Sequence, residues 1–324
     1  MGAMVEPDAG FDSVLPHLRS RLTSVFGHRV ADDRCPFVAN LYRHPTETGF
    51  SDALAFLKRH FTFVTLDAVV AHFRDGSPLP DYPLFLSFDD GFRNAVDRIA
   101  PLLRAAGVPA TFFLTADAID NCRLFYGLRR SYLIDRLERQ SDPPAAGLRD
   151  ALRTASVHTP EGRRAVDAAA RVLDIDWQAV LATERPFLSR EQGRALRQMG
   201  FTLGAHGVTH RRFAELDDAT RTREVAASVA FMRDAFGLDQ VAFAFPHGDR
   251  GVDARWMAER LATDPRLSLF FGTGGFAPSG RFVVHRVALD RPLGDDGAFD
   301  IAALIAGAFS RAAAKYGDRA RSTG

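Results

Sequence analysis

An apolar segment, Pro83-Leu84-Phe85-Leu86-Ser87-Phe88, runs directly into the acidic pair Asp89-Asp90 and then Gly91. A short run rich in Leu and Phe that ends at a turn residue is typical of a buried strand. Ionised carboxylates at the end of such a strand cost free energy unless a partner compensates their charge. Neighbouring strand side chains point to opposite faces, but the turn at Gly91 can bring both carboxylates to one cavity. The pattern therefore predicts a cation beside Asp89 and Asp90.

Two histidines further along the chain could hold that cation. His206 and His210 lie in the segment Leu203-Gly204-Ala205-His206-Gly207-Val208-Thr209-His210. Neutral imidazole is a good ligand for zinc and other first-row divalent ions, and histidines four positions apart can chelate one ion from one side of a helical turn. One carboxylate and two imidazoles leave open positions on the metal, as a catalytic site requires. The second carboxylate would be free to accept a proton.

Each of these motifs alone has an ordinary interpretation. An Asp-Asp-Gly sequence is usually a solvated turn, and two histidines at this spacing without the glutamate of the zinc-protease motif are often a coincidence. The combination of the two motifs, each at a predicted strand end, is what indicates a site.

Short apolar segments alternate with amphipathic ones along most of the chain. The predicted strands are Phe37–Tyr42, Phe61–Leu66, Pro83–Phe88, Ala110–Thr115, Thr202–Ala205, Val241–Phe245, Leu267–Phe271 and Phe282–Val287. Strands that alternate with helices predict βαβ units and a parallel sheet, and about eight strands permit a closed barrel. Every candidate site residue follows a predicted strand, where barrel enzymes place their chemistry.

One long region interrupts this alternation. Residues 118–189 are predicted to form a mostly helical insertion, which either buttresses the barrel or acts as a lid that shapes a substrate site. We accordingly divide the chain into an N-terminal segment (1–34), a barrel with its insertion (35–310) and a frayed C-terminal tail (311–324).

Composition restricts the class of protein. The chain has 324 residues, 46% of them hydrophobic, and a formal net charge of +1, which gives no indication of a nucleic-acid surface. Its two cysteines, Cys35 and Cys122, form no disulfide framework.

We predict no transmembrane segment and, since no secretion signal is recognisable, a cytoplasmic protein. Residues 1–3 are open to interpretation as an artificial extension before a natural start at Met4, in which case a signal could have been removed.

Three motifs resemble those of the polysaccharide deacetylases (carbohydrate esterase family 4, the nodulation-type deacetylase domain). Leu86-Ser87-Phe88-Asp89-Asp90-Gly91 resembles the first signature, and His206-Gly207-Val208-Thr209-His210 the second, with Gly207 where Ser or Thr is usual. Ala244-Phe245-Pro246-His247-Gly248 is similar to the third, with Ala244 in place of the arginine and His247 in place of the tyrosine. The resemblance extends from about Phe37 to about Pro292, and it implies a distorted (β/α) barrel of seven or eight strands.

The resemblance also implies roles. Asp90, His206 and His210 would bind one divalent metal, zinc or else cobalt, nickel or manganese. Asp89 would be the general base, and the backbone at Pro246 and His247 would help to hold the oxyanion. Two alternatives remain at Val283-Val284-His285-Arg286, because strand neighbours point in opposite directions. Either His285 faces the site as the general acid, or Arg286 does and orients Asp89.

The expected function is a metal-dependent hydrolase that removes an N-acyl group, foremost an acetyl group, from an amino sugar of a glycan or glycan precursor. A second interpretation is hydrolysis of another non-peptide carbon–nitrogen bond, in a cyclic amide or a formamide. A third is a sugar-binding domain that has lost catalysis, which the replacement at Ala244 would permit. The expected partner is a carbohydrate, and the oligomeric state is left open.

Overall fold

The computed structural model describes residues 9–139, 143–290 and 299–317. Its strands are β1 (Thr23–Gly27), β2 (Thr62–Phe63), β3 (Pro83–Phe88), β4 (Thr111–Leu114), β5 (Thr202–Ala205), β6 (Val241–Ala244), β7 (Leu267–Gly272), β8 (Val283–His285) and β9 (Val287–Ala288). Its helices are α1 (Ala9–Val14), α2 (Glu47–His60), α3 (Leu66–Asp75), α4 (Ala100–Ala106), α5 (Tyr126–Glu138), α6 (Pro143–Thr154), α7 (Pro160–Val172), α8 (Trp177–Glu184), α9 (Arg190–Gln198), α10 (Asp218–Phe236), α11 (Ala254–Thr263) and α12 (Ile301–Tyr316).

The strands form a nearly closed barrel, which confirms the predicted fold class. They pair in the order β8-β7-β6-β5-β4-β3-β1-β9, and β2 pairs with β3 outside this path. Every pairing between strands is parallel. The strands β8 and β9 are one segment of chain interrupted at Arg286. Because β8 pairs with β7 and β9 pairs with β1, this interrupted segment joins the two sides of the barrel.

Alternation along β3 explains how the barrel positions the first motif. Leu84, Leu86 and Phe88 belong to the large apolar core between the strands and the outer helices. Phe85 belongs to a separate cluster that includes inward-facing residues of other strands. A period of two therefore directs Phe85, Ser87 and Asp89 toward the barrel interior, and all six residues of the strand are buried.

The insertion is helical, as the sequence predicts. Between Ala118 and Ser189 the structure contains four helices, α5 to α8, in its described residues. The insertion has a small core of its own, made of residues from α5, α6 and α7, namely Leu133, Ile134, Leu137, Leu152, Val166, Ala169 and Ala170. It is therefore a compact subdomain on the barrel.

The predicted first strand is wrong. Residues 37–41 form turns, residue 42 has no regular structure, and the first strand is β1, which lies within the 1–34 segment set apart from the barrel above. The reason is that β1 buries polar residues, Thr23 and Ser24, at 0% and 2% exposure, so it lacks the apolar run by which buried strands are recognised.

The end of the barrel domain also differs from the proposed boundary. Helix α12 (Ile301–Tyr316) continues without a break across residue 310. The rest of the predicted frayed tail, 318–324, lies outside the described residues.

Within the described ranges, no helix combines the length and apolar character needed to cross a membrane.

The close packing at the carboxyl end of β5 makes a stability prediction. A Cβ on Gly204 would lie 2.5 Å from ring carbons of Phe113 and 3.0 Å from the Ala242 carbonyl oxygen. Gly204→Ala should therefore lower the free energy of unfolding by about 1–3 kcal/mol, as overpacking does, in a urea titration. The matched control is Gly147→Ala in α6, where a Cβ would meet nothing within 4 Å; it should raise stability by about 0.5–1 kcal/mol. Equal effects of the two substitutions would contradict the packing argument.

Candidate metal centre and active site

Parallel strands place the candidate residues at one end of the barrel. Asp89 follows β3, His206 follows β5, His247 follows β6 after two residues, and Arg286 separates β8 from β9. Since the carboxyl ends of parallel strands meet at the same barrel end, residues more than a hundred positions apart become neighbours.

The three predicted metal ligands form a compact cluster. The Asp90 Oδ1 atom lies 3.3 Å from His206 Nε2 and 2.9 Å from His210 Nε2, and the three ligand atoms all lie within 4.8 Å of one another. The other ring nitrogen of His206, Nδ1, is 2.8 Å from the Ala244 carbonyl oxygen. If Nδ1 carries the hydrogen and donates this hydrogen bond to the carbonyl, the lone pair of Nε2 is free to bind a metal, as is usual for histidine ligands.

The donor set fits a divalent cation. One carboxylate oxygen and two imidazole nitrogens are ligands that zinc and other first-row ions accept, at about 2.0–2.2 Å each. The Asp90 Oδ1 atom is buried and makes no hydrogen bond of acceptable geometry, although two imidazoles are close to it. A buried carboxylate oxygen without such a bond is costly, and a cation would compensate it. With three protein ligands, positions on the ion would remain open for water and substrate.

Electrostatics keep Asp90 ionised. Burial by itself would raise the pKa of this carboxyl group, but His210 and His28 outweigh burial, and the pKa lies well below its ordinary value. A carboxylate that is ionised at all ordinary pH values is available as a metal ligand.

Backbone conformation turns Asp90 into the same cavity as Asp89. Asp90 has φ 75° and the following Gly91 has φ 84°, so two consecutive residues are left-handed. His210 and His247 are also left-handed, at φ 55° and 59°. Non-glycine residues in this region are strained, and such strain often occurs at functional sites. As the sequence predicts, the turn at Gly91 brings both carboxylates to one cavity.

Arg286 contacts Asp89 inside the barrel. Its Nη1 donates to Asp89 Oδ1 at 2.7 Å and its Nη2 donates to Asp89 Oδ2 at 2.8 Å, a two-point contact between a guanidinium and a carboxylate. The guanidinium also lies over the Phe26 ring at 4.4 Å, and Arg286 is 0% exposed. Burial would raise the pKa of Asp89, but Arg286 and His206 outweigh it and lower that pKa.

His285 points away from this pair. It lies 3.7 Å from Asp249 Oδ1, and it is not among the described residues that line the cavity around Asp89 and Asp90. Of the two alternatives at this strand, the structure directs Arg286 toward Asp89. The role of His285 as general acid stays a prediction, with no contact to the cavity that supports it.

His247 lines the cavity at the position where the resemblance implies a tyrosine. Its ring centroid lies 4.7 Å from that of His210 and 4.7 Å from that of His158. Burial first, and then the neighbouring His210, hold the pKa of His247 well below its ordinary value, so its imidazole is neutral.

Sequence reasoning missed a histidine that faces the two carboxylates. His28 follows β1 and lines the same cavity as Asp89 and Asp90. Its Nδ1 lies 2.5 Å from Asp290 Oδ2. Burial alone would lower the pKa of His28, but Asp290 and Asp90 outweigh burial and raise the pKa to about 9. From the sequence alone His28 is interpreted as a structural residue in a helical or linker segment, because the pattern of β1 does not identify it as a strand.

The cavity has a volume of about 430 Å³ and lies between the barrel and the insertion. Phe125, Tyr126, His158 and Arg163 of the insertion form part of its lining. Phe125 stacks on the ring of His210 at a centroid distance of 4.1 Å. The insertion therefore lies at the end of the barrel that carries Asp89 and Asp90, as a lid would.

A second missed residue, Glu224 of α10, holds the loop between the two histidines. Its Oε2 accepts hydrogen bonds from the backbone N–H of Val208 at 2.7 Å and of Thr209 at 3.1 Å. Its Oε1 accepts from the Thr209 hydroxyl. Nothing in the local sequence distinguishes this glutamate from the other charged residues of α10.

Glu224→Gln should weaken metal binding about 10–100-fold, as is typical when a group that orients the ligands is lost. The amide that replaces the carboxylate removes the charge and one acceptor from this loop. Competition with a chromophoric chelator would measure the affinity, and Glu191→Gln, an exposed residue of α9, is the control. Unchanged affinity in Glu224→Gln would show that the loop keeps its shape without this contact.

Several proteins of known structure share the fold of this chain. A search of the curated proteins found no match. Among solved structures, the deacetylase PplD of Streptococcus pyogenes is 12% identical, with a TM-score of 0.55 over 83% of this chain and 92% of that chain. IcaB of Ammonifex degensii is 18% identical, with a TM-score of 0.55 over 88% and 97% of the two chains.

A polysaccharide deacetylase of Bacillus cereus is 13% identical, with a TM-score of 0.51 over 89% of this chain and 68% of that chain. At these identities the likeness shows a shared fold. The model of the polysaccharide deacetylase family matches residues 76–265, which is more than half of the chain and contains Asp89, Asp90, His206, His210 and His247. The chain therefore belongs to the polysaccharide deacetylase family.

Proposed function

We propose that the protein is a metal-dependent hydrolase that removes an N-acyl group, foremost an acetyl group, from an amino sugar of a glycan or glycan precursor. The observation that carries this proposal is the cluster of Asp90, His206 and His210 beside an Asp89 that Arg286 holds in place. Membership of the polysaccharide deacetylase family supports deacetylation as the reaction.

Amide hydrolysis needs a nucleophilic water, a base, stabilisation of the oxyanion, and an acid for the departing amine. A zinc ion, or another first-row divalent ion, held by the three ligands would acidify the water and polarise the acyl carbonyl.

Asp89 is the base in this proposal. Arg286 occupies one acceptor position on each carboxylate oxygen and leaves others for a water molecule. The two-point contact fixes the plane of the carboxylate, so its free lone pairs point in a defined direction. On the other side of the acyl group, the backbone at Pro246 and His247 supplies a hydrogen-bond donor for the oxyanion, namely the His247 N–H.

His28 is the acid in this proposal, in place of His285. It lines the cavity that contains Asp89 and Asp90, whereas His285 does not. With a pKa of about 9, His28 is protonated at neutral pH and can give its proton to the leaving nitrogen. Its hydrogen-bonded partner Asp290 fixes the ring orientation and stabilises the protonated form.

Replacing both metal ligands His206 and His210 with Ala should abolish stoichiometric zinc binding, since a lone carboxylate does not hold zinc tightly. Elemental analysis after dialysis measures the metal content, and acetate release from N-acetylated oligosaccharides should fall to background. His72→Ala, which removes a histidine of α3, is the control. A double variant that still holds one zinc per chain would refute the ligand assignment.

Asp89→Asn should keep the metal and lower kcat by a factor of about a hundred or more, as is typical for removal of a positioned base. The substitution also leaves the buried charge of Arg286 without its carboxylate, so stability falls as well. Metal content and kcat are therefore compared on folded protein, below its unfolding transition. Loss of the metal together with activity would instead make Asp89 a ligand.

His28→Asn should reduce hydrolysis of amides far more than hydrolysis of acetate esters, because an amine leaves poorly until it is protonated. The wild-type rate on amides should decline at alkaline pH as His28 loses its proton, and His28→Asn should lack that decline. His285→Asn is the matched comparison. If His285→Asn shows these effects and His28→Asn does not, the acid is His285.

A further inference from the structure

Four arginines line the cavity between the barrel and the insertion. Arg130 and Arg163 come from the insertion helices α5 and α7, whereas Arg211 and Arg212 directly follow the metal-ligand candidate His210. Besides Asp89 and Asp90, which have Arg286 and the histidines as partners, Glu215 is the acidic residue in the described lining. The arginines therefore leave an excess of three positive charges there.

The two insertion arginines have no carboxylate partner among the described residues. Arg130 Nη1 donates to the Ala155 carbonyl oxygen at 2.7 Å, and its Nε is buried without any hydrogen-bond partner. Arg163 Nη1 donates to the carbonyl oxygens of Val157 and His158. Backbone carbonyls orient these guanidinium groups, and neither group forms an ion pair with a carboxylate in the described part of the chain.

Of the two barrel arginines, Arg212 has a carboxylate at ion-pair distance and Arg211 has none among the described residues. Arg212 Nη1 lies 3.7 Å from Glu215 Oε1, which is beyond hydrogen-bond distance. Arg211 is exposed, and no acidic side chain in the described part of the chain pairs with it. Arg153 of α6, outside the cavity, shows the contrast, because it contacts Glu138 at 3.0 Å.

The positive charge of the arginines also lowers the pKa of a histidine inside the cavity. Burial first, and then Arg212 and Arg130, lower the pKa of His158 to about 4. The imidazole therefore stays neutral and adds no further charge. A cavity with this potential attracts anions and repels cations.

We infer that the amino-sugar substrate carries a phosphate or diphosphate group, which Arg130 and Arg163 on one side and Arg211 and Arg212 on the other bind while the acyl group lies at Asp89 and Asp90. This inference rests on the proposed function and names its substrate class. A neutral polysaccharide would leave all three excess charges uncompensated. A diphosphate matches the excess better than a single carboxylate does, and the planar guanidinium binds phosphate oxygens in pairs.

Both the insertion and the segment that follows His210 contribute arginines to this cavity. The insertion supplies two of the phosphate ligands, and the chain immediately after His210 supplies the other two. Substrate choice then depends on both halves, whereas metal binding depends on the barrel alone.

The first experiment compares four N-acetylglucosamine substrates with the zinc-loaded enzyme. They are a nucleoside diphosphate sugar, the sugar 1-phosphate, a polyprenyl diphosphate-linked sugar in detergent micelles, and a neutral chito-oligosaccharide. We expect kcat/KM to be at least about tenfold higher for a phosphorylated substrate than for the neutral one, and this advantage should shrink as salt increases. Preference between the nucleotide and the lipid substrates distinguishes the two sources of the phosphate.

The second experiment uses variants. Arg212→Gln and Arg163→Gln should each lower the ratio of kcat/KM for phosphorylated over neutral substrate about tenfold, mainly through KM, and Arg163→Lys should restore part of it. The Arg212 guanidinium donates no hydrogen bond to the backbone in the described structure, so its replacement tests the charge even if Arg163→Gln disturbs the 157–158 loop. Arg164→Gln, an exposed neighbour paired with Glu161, is the control and should leave the ratio unchanged.

Two outcomes would overturn the inference and leave the proposed function intact. One is an equal or better kcat/KM for the neutral oligosaccharide, and the other is a ratio that none of the arginine variants changes. Absence of acetate release from all four substrates would refute the proposed function instead. In that case, calorimetric titration with inorganic pyrophosphate still tests the anion site, and wild-type binding no tighter than that of Arg212→Gln would refute it.

Discussion

Arg286 and Asp89 form a buried ion pair inside the barrel, and this pair constrains both the closure of the barrel and the direction of the candidate base. A guanidinium that is 0% exposed inside a barrel must be paired, because an uncompensated buried charge costs about 3–5 kcal/mol when its partner is removed. The chain meets this requirement at the position where β8 ends and β9 begins. The residue that joins the two sides of the barrel is thus the residue that orients the candidate base.

Around this pair, aromatic rings and a hydroxyl group surround the guanidinium of Arg286. Phe26, Phe113 and Phe271 surround the guanidinium with their rings, and Ser87 accepts a hydrogen bond from it at 3.0 Å. The aromatic faces interact favourably with the cation. The carboxylate therefore stays ionised and fixed in direction, which suits a base better than a solvated, mobile carboxylate.

The candidate metal-ligand cluster depends on a different constraint, the backbone. Asp90 and His210 both have left-handed φ angles, which L-residues adopt only where surrounding contacts compensate the cost. Glu224 supplies part of that compensation through its bonds to Val208 and Thr209, and the Ala244 carbonyl orients His206. The sequence spacing of the two histidines permits chelation, but these contacts determine the direction of each ligand atom.

The sequence alone predicts the barrel class, the helical insertion and the motif residues at the strand ends. Apolar runs such as Pro83–Phe88, and a turn such as that at Gly91, are local patterns with a local physical cause. It did not determine β1, because Thr23 and Ser24 are buried polar residues with no local signal, and His28 was missed with that strand. Nor could it decide between His285 and Arg286, or select Glu224 and the arginines of the cavity. The direction of a strand side chain and the partner of a buried charge depend on residues distant in the chain, and only the closed barrel and the packed insertion bring those residues together.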